Sequence, residues 1–361
     1  MREVHRSWWT FVLLAAAAAA GCGDNHAGPE GPRVDAPAVD APPPDVPPDA
    51  NPLDTLAGTG LCADAACMQI NAGILEYEPR FQLWDDTAAK RRWLYLPPGA
   101  KINTSNMDYW VFPVGTKLWK QFTRDGTRVE TRMIMKVLDD DSAPGAWFYA
   151  AYQWNAAQNA TMLVTDRVPN ANGTQHDIPS RSDCRRGCHE RLVSRVLGFD
   201  AIQLDYPAIG APAGLTDLAD LIAANLLTVP PSGTAPYFPL PGTAVDAAAL
   251  GYLHGNCGQC HNPTSDVSMG DITFDLRLRT TMLGSVQATP TYATTVNADA
   301  KIQYEENGTT LTKLIVPGMP AQSAVIGRMN SMLSIRFMPP IAVESVDPAG
   351  QAALTAWISS L

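Results

Sequence analysis

Two short runs of this chain join cysteines to a histidine at spacings that suggest one chemistry. The first is Cys257-Gly-Gln-Cys260-His261, inside the stretch from Gly251 to Pro263. Two thiols held three residues apart on one turn can each add to a vinyl group of a haem, and the adjoining imidazole is then placed to bind the iron. The same spacing also serves redox thiols and half of a zinc site. No second Cys/His pair at zinc spacing lies nearby and no βαβ pattern surrounds it, so Cys257 and Cys260 read as haem attachment points and His261 as an axial ligand. The second run, Cys184-Arg-Arg-Gly-Cys188-His189, is one residue wider. Residues four apart share a helix face, so Cys184 and Cys188 can still reach one haem with His189 as its ligand. A local disulfide beside an incidental histidine is the alternative there.

The far side of a haem iron accepts a soft thioether, and Met338 lies in Arg336-Phe-Met-Pro-Pro340, where two prolines stiffen the loop without adding backbone donors. Met319, Met329 and Met332 are rivals, but only Met319, in Pro317-Gly-Met-Pro320, shares the Met-Pro context. Most methionines are simply core residues. For the wider motif, His254 and His176 are the candidate distal ligands, and an iron left open there would bind peroxide or another small molecule.

The remaining cysteines have other roles. The run from Trp8 to Ala20 follows a basic start and has the length of a signal-peptide core, which makes 1–21 a leader. Ala19-Ala20-Gly21-Cys22 resembles a bacterial lipobox, although Ala19 stands where leucine is usual, and predicts a lipid on Cys22. An exported chain permits disulfides, and Cys62 with Cys67 would close a small loop. Between them, 22–56 is rich in Ala, Asp and Pro, with nine prolines from Pro29 to Pro52, and cannot form a core. As polyproline II those 24 residues would reach roughly 75 Å. The net charge of −10, with Lys and Arg scattered, offers no basic face and argues against a nucleic-acid partner.

The elements that must position these groups fall into three stretches. In 57–175, Arg128–Val137 alternates with period two as a half-buried strand, Asp125-Gly126 links it to a strand at Lys117–Phe122, and further strands are expected at Arg92–Leu96, Tyr109–Phe112 and Ala146–Asn155. Together they predict an antiparallel sandwich or barrel. Leu83-Trp84-Asp85-Asp86 with Lys90-Arg91-Arg92, and Phe112–Thr116, read either as ligand-lining groups or as a solvated face and core. The stretch 176–240 carries the wider motif, with helical spacing at Leu192, Val193, Val196 and Leu197 up to Gly198, and a second helix over Leu215–Leu226. In 241–361, Thr243 caps a helix leading into Cys257, Asp347-Pro348 opens a terminal helix with Leu354, Trp357, Ile358 and Leu361 on one stripe, and Asp271–Leu278 and Tyr292–Glu305 suggest an inserted β-region. The predicted class is α+β: a β-rich N-terminal domain, then a mainly helical haem region with a β insertion.

From Thr243 to Leu361, the Cys257–His261 motif, the Met338-Pro-Pro loop and the Trp357-Ile358 helix resemble the c-type cytochrome family. With the upstream strands and Cys184–His189, the whole mature chain resembles exported diheme c-type cytochromes. The resemblance implies haem c at one or two sites, His261 and Met338 as axial ligands, and electron exchange with a redox partner protein in the periplasm from a lipid-anchored position in the bacterial cell envelope. The widened first motif departs from the family pattern. A diheme peroxidase-like enzyme and a ligand-binding envelope lipoprotein are the competing expectations.

Overall fold

The aspartate and glycine at 125 and 126 close the central hairpin. Both have positive φ, 49° and 77°, as a tight hairpin turn with the twist of its strands demands. In the computed structural model, which describes residues 51–361 apart from 208–209, 266–272, 307, 332–335 and 341–342, this turn joins β3 and β4 of a six-stranded antiparallel meander. Its strands are β1 (Leu75–Tyr77), β2 (Ala89–Tyr95), β3 (Lys117–Arg124), β4 (Thr127–Lys136), β5 (Trp147–Trp154) and β6 (Thr161–Val164), paired in that order. The expected sandwich or barrel is not formed, because this is one open sheet whose faces are covered by other parts of the chain. Tyr109–Phe112 makes only an isolated bridge, Val111 to Asn103, instead of a strand. Residues 1–50, including the leader and Cys22, lie outside the described residues, as do Ile272 and Met332.

Alternation puts two kinds of row on the sheet. Trp93, Trp119, Met133, Tyr152 and Trp154 face one way and bury Leu56, Leu61 and Cys62 against them. Cys62 and Cys67 are joined as a disulfide in that covering segment. On the other face, Leu94, Leu118, Ile134 and Tyr149 lie opposite one another across four strands and pack with Tyr77 of β1 and with Val196, Phe199, Leu204 and Leu218 from the middle of the chain. The strand expected to be half-buried is therefore covered on both sides, and Glu130 and Lys136 on its polar side are fully buried.

The middle stretch has less helix than its spacing suggested. Leu192–Leu197 is not helical; single turns at Asp183–Cys188, of π type, and His189–Arg191 precede it, and short helices follow as α1 (Ala201–Leu204) and α2 (Leu218–Ala223). After them come α3 (Ala244–Asn256), α4 (Pro290–Thr295), a hairpin of β7 (Asp299–Glu306) and β8 (Thr309–Lys313), α5 (Ala324–Asn330) and α6 (Pro348–Ser360). The strand expected over Tyr292–Glu305 is thus split into a helix and a strand, Thr289 capping the helix through the Tyr292 N–H. The described part of Asp271–Leu278 is irregular.

Helix α3 starts where a capping box can form, with Thr243 and Asp246 satisfying each other's backbone donors. Asp347 caps α6, with Pro348 in its first turn. The two helices cross where Gly350 lets Tyr252 approach, since a Cβ there would sit 2.1 Å from its ring. Leu250, Leu253, Leu354, Trp357 and Ile358 form the core between them, and Trp357 Nε1 donates to Asp246 Oδ1 at 3.1 Å.

A loop from the sheet ties the halves together. Trp84 N–H donates to Asn256 Oδ1 (2.6 Å), Asn256 Nδ2 to the Gln82 carbonyl (3.1 Å), and Phe81 N–H to Gln203 Oε1 (2.9 Å). These stretches pack as one compact unit. No described helix is long and apolar enough to cross a membrane.

Two candidate haem-attachment sites

At the end of α3 the chain turns sharply, and the 257–261 motif is that turn. Cys257 N–H still donates to the Leu253 carbonyl, and the amides of Cys260 and His261 then both donate to the Cys257 carbonyl at 3.0 and 2.8 Å. Gly258 is required because a Cβ there would meet the His254 and Leu276 carbonyl oxygens at 2.9 Å. Asn262 fastens the turn, its Nδ2 donating to the Gly258 and Gln259 carbonyls (2.9 and 3.0 Å) and its Oδ1 accepting from Thr264. Its place next to the motif was the only sequence signal for that role.

The turn faces a cleft of about 1150 Å³, open solvent included, lined by Cys257, His261, Phe274, Ile315, Met329 and Met338 among others. The Phe274 ring stacks on His261 with centroids 4.7 Å apart. Burial, with a smaller contribution from Arg328, holds the His261 imidazole down to about 4, so it is neutral and able to donate a lone pair at neutral pH. Burial and the neighbouring Cys260 push the Cys257 thiol up to about 12. Met338 reaches this cleft from 77 residues away in the chain, held by its N–H to the Arg328 carbonyl (3.0 Å). Met319 is 49% exposed and lies outside the lining, whereas Met329 is buried within it.

The wider motif is accommodated differently. A π-turn takes one residue more than an α-turn, and Asp183–Cys188 forms such a turn, with Cys184, Cys188 and the following His189 all lining a separate cleft of about 910 Å³, open solvent included, which is the first in chain order, that of His261 being the second. His189 Nδ1 lies 2.6 Å from the Arg195 carbonyl. A carbonyl only accepts, so Nδ1 carries the proton and Nε2 keeps the lone pair. That hydrogen bond fixes the tautomer and ring orientation, as it would have to for a histidine that binds a metal. Burial holds this imidazole down to about 4 as well, and it pushes the Cys184 thiol up to about 12.

Neither candidate distal histidine serves that cleft. His176 Nε2 is bound to Glu130 Oε1 at 2.7 Å. His254 Nδ1 accepts the Leu278 N–H at 3.1 Å, which puts its proton on Nε2, 3.5 Å from Asp200 Oδ2. Both are structural, and both lie outside the lining.

The two motifs touch: Cys260 Sγ lies 4.0 Å from the Gly187 carbonyl and Asn262 Nδ2 3.5 Å from that of Arg191. Gly255 and Gln259 line the first cleft together with Cys184 and His189. No protein-family model matches the chain, and neither the curated proteins nor the solved structures give a significant match.

The arrangement fits a thioether-linked haem better than a bare ion. Among the described residues no three His, Cys, Asp or Glu side chains gather as a metal cage. A porphyrin fills the equatorial positions itself and asks the protein for axial donors, attachment thiols and a cleft. Each motif places a histidine at a cleft that also holds at least one of its thiols, as such a haem would require.

The sheet adds residues that the motifs did not announce. Arg92, Lys120 and Arg132 lie on the floor of the first cleft. Arg92 belongs to the charged cluster at 90–92, whereas Arg132 reads from the sequence as an ordinary polar-side position of an alternating strand and nothing in the sequence singles out Lys120.

Proposed function

We propose that this chain is a membrane-tethered c-type cytochrome lipoprotein of the bacterial cell envelope, facing the periplasm, that passes electrons to and from a redox partner protein. The observation that carries the reading is the cleft shared by Cys257, His261 and Met338: a thiol, an imidazole and a distant thioether meet at one largely apolar surface. A haem bound there supplies one-electron exchange. The chain's own part is to present His261 neutral beneath Phe274, to hold Met338 through Arg328, and to limit water with Tyr252, Leu253 and Ile315. The lipid on Cys22 and the Pro-rich tether account for the envelope position.

The mass of the mature protein tests this directly. It should exceed that of residues 22–361 by the lipid on Cys22 and two covalent haems, and a mass with no haem would end the proposal. A second reading, a diheme enzyme of peroxidase type, draws on the engagement of His176 and His254 elsewhere. High-spin absorption from the haem on Cys184 and Cys188, with peroxide turnover, would favour it over the carrier.

A further inference from the structure

On the face of the sheet that floors the first cleft, Arg92 of β2 stands directly opposite Lys120 of β3, and Lys120 opposite Arg132 of β4. Like charges placed opposite one another across strands repel, and the repulsion grows as water is removed. Arg92 is 4% exposed. Its Nη1 is buried with no hydrogen-bond partner, and its Nη2 is 3.5 Å from Gln82 Oε1. Lys120 is partly buried, and its nearest carboxylate oxygen, on Asp85, is 3.8 Å away and shared with Lys90. Burial, only partly offset by Asp85, holds the Lys120 amine well below the usual lysine range. Arg132 is better served, its guanidinium pairing with fully buried Glu130, which His176 also engages.

The buried Arg92 and the partly buried Lys90, Lys120 and Arg132 therefore outnumber the buried carboxylates Asp85 and Glu130. Two more acids stand at the margin, partly buried Glu78 and exposed Asp183, the latter taken up by Ser180. A row of cations with an unpartnered guanidinium nitrogen, at a cleft that also holds two thiols and a histidine, is costly unless an anion completes it.

We propose that Arg92, Lys120 and Arg132 form a carboxylate seat, and that the propionates of a haem attached at Cys184 and Cys188 occupy it. The assignment of the occupant rests on the haem reading of that motif; the seat itself rests on the row of charges. The alternative source of the same chemistry is a free dicarboxylate.

The test uses the full chain, with and without Cys184→Ala and Cys188→Ala, and adds Lys120→Met or Arg92→Met to each, with Lys120→Gln as the substitute where the Met variant does not fold. With the haem in place, each substitution should lower the thermal midpoint by several degrees and lower the reduction potential of one haem, the one that the cysteine double variant lacks, because a positive charge near the iron is lost. Without that haem, the same substitution should raise the midpoint, since it removes more repulsion from the row of cations than attraction to Asp85. A change of the same sign in both backgrounds would overturn the proposal. Succinate, compared with sodium chloride at equal ionic strength, separates the sources: a midpoint rise in the haem-loaded chain that Lys120→Met abolishes would give the seat to a free anion and overturn the propionate assignment. If the cysteine double variant loses no haem mass, the motif reading has failed, and succinate stabilisation abolished by Lys120→Met then keeps the seat, whereas no stabilisation rejects it.

Discussion

The two clefts offer the same kind of covalent handle in opposite surroundings. Around His261 the walls are Tyr252, Leu253, Phe274, Ile302 and Ile315, with Met338 arriving from a distant loop. Around His189 one wall is a β-sheet carrying Arg92, Lys120 and Arg132. Axial ligand, local charge and burial are the levers by which a protein sets a haem potential. For a haem bound as proposed, the second cleft would rely on a thioether and an apolar shell, the first on positive charge from the sheet and a histidine oriented by the Arg195 carbonyl. The motif secures the group, whereas the fold around it decides what the group does.

Removing one handle should break this comparison most completely. Replacing Cys184 and Cys188 with Ala should lower the mature mass by one haem and leave the other, read by mass spectrometry of the intact protein. An unchanged mass would mean that the wider motif carries no haem and that there is only one site to compare. The next effect sharpens the difference in ligands. Met338→Ala should abolish the weak red charge-transfer absorption, make the second haem partly high-spin and lower its potential. Met319→Ala, on an exposed side chain, should leave all three unchanged. Met329 lines the same cleft, so a spectral change on Met329→Ala with none on Met338→Ala would move the ligand there.

The parts that could be read from the residues are those governed by local rules. The Asp125-Gly126 turn, the alternation of β4, the Thr243 cap of α3, the Asp347 cap and Pro348 that start α6, and the apolar stripe of α6 all depend on neighbours within a few residues. Errors arose where distant contacts decide. Apolar spacing at Leu192–Leu197 looked helical, but Leu192 and Val196 are buried in an irregular segment, Val196 against the sheet. Arg132, on the polar side of a strand expected to be half-buried, looked solvated because alternation cannot show that another segment will cover that face. His254 looked like a ligand candidate by type alone, and its partners, Leu278 and Asp200, are distant in the chain.

Those partners give a stability prediction at the seam between the two clefts. Asp200 Oδ1 caps α1 through the amides of Ile202 and Gln203, and Oδ2 accepts from Arg277 Nη2 at 3.0 Å. Burial alone would raise its carboxyl, but Arg277 and then His254 outweigh it and hold the group well below the usual carboxylate range. A depressed carboxylate contributes stability that is fully present above its unfolded value, about 3.9, and is lost as pH falls through its folded value. Asp200→Asn leaves Arg277 buried without its counter-charge and should cost about 3–5 kcal/mol near neutral pH. The variant's stability should also fall less steeply below about pH 4, as read from urea unfolding across pH. A parallel acid limb in both proteins would remove Asp200 as its source.

The smallest expected effect asks whether the two clefts are mechanically joined. Phe81, on the loop that leaves the sheet, also lines the first cleft, and it packs on Gly251 of the helix that ends at Cys257. A Cβ on Gly251 would lie 2.1 Å from the Phe81 ring, and neither partner can withdraw freely. The helix is pinned by Asn256 to Trp84 and Gln82, and Phe81 is pinned by Gln203. Gly251→Ala should therefore cost about 1–3 kcal/mol through overpacking, even though alanine favours the helix itself. Phe81→Ala removes the obstacle, so the double variant should be more stable than the sum of the single losses predicts, by about 0.5–3 kcal/mol. Urea unfolding of the four proteins in the cycle measures that coupling. A value near zero would mean that loop and helix do not bear on each other, and that the sheet-backed cleft and the apolar one are held independently.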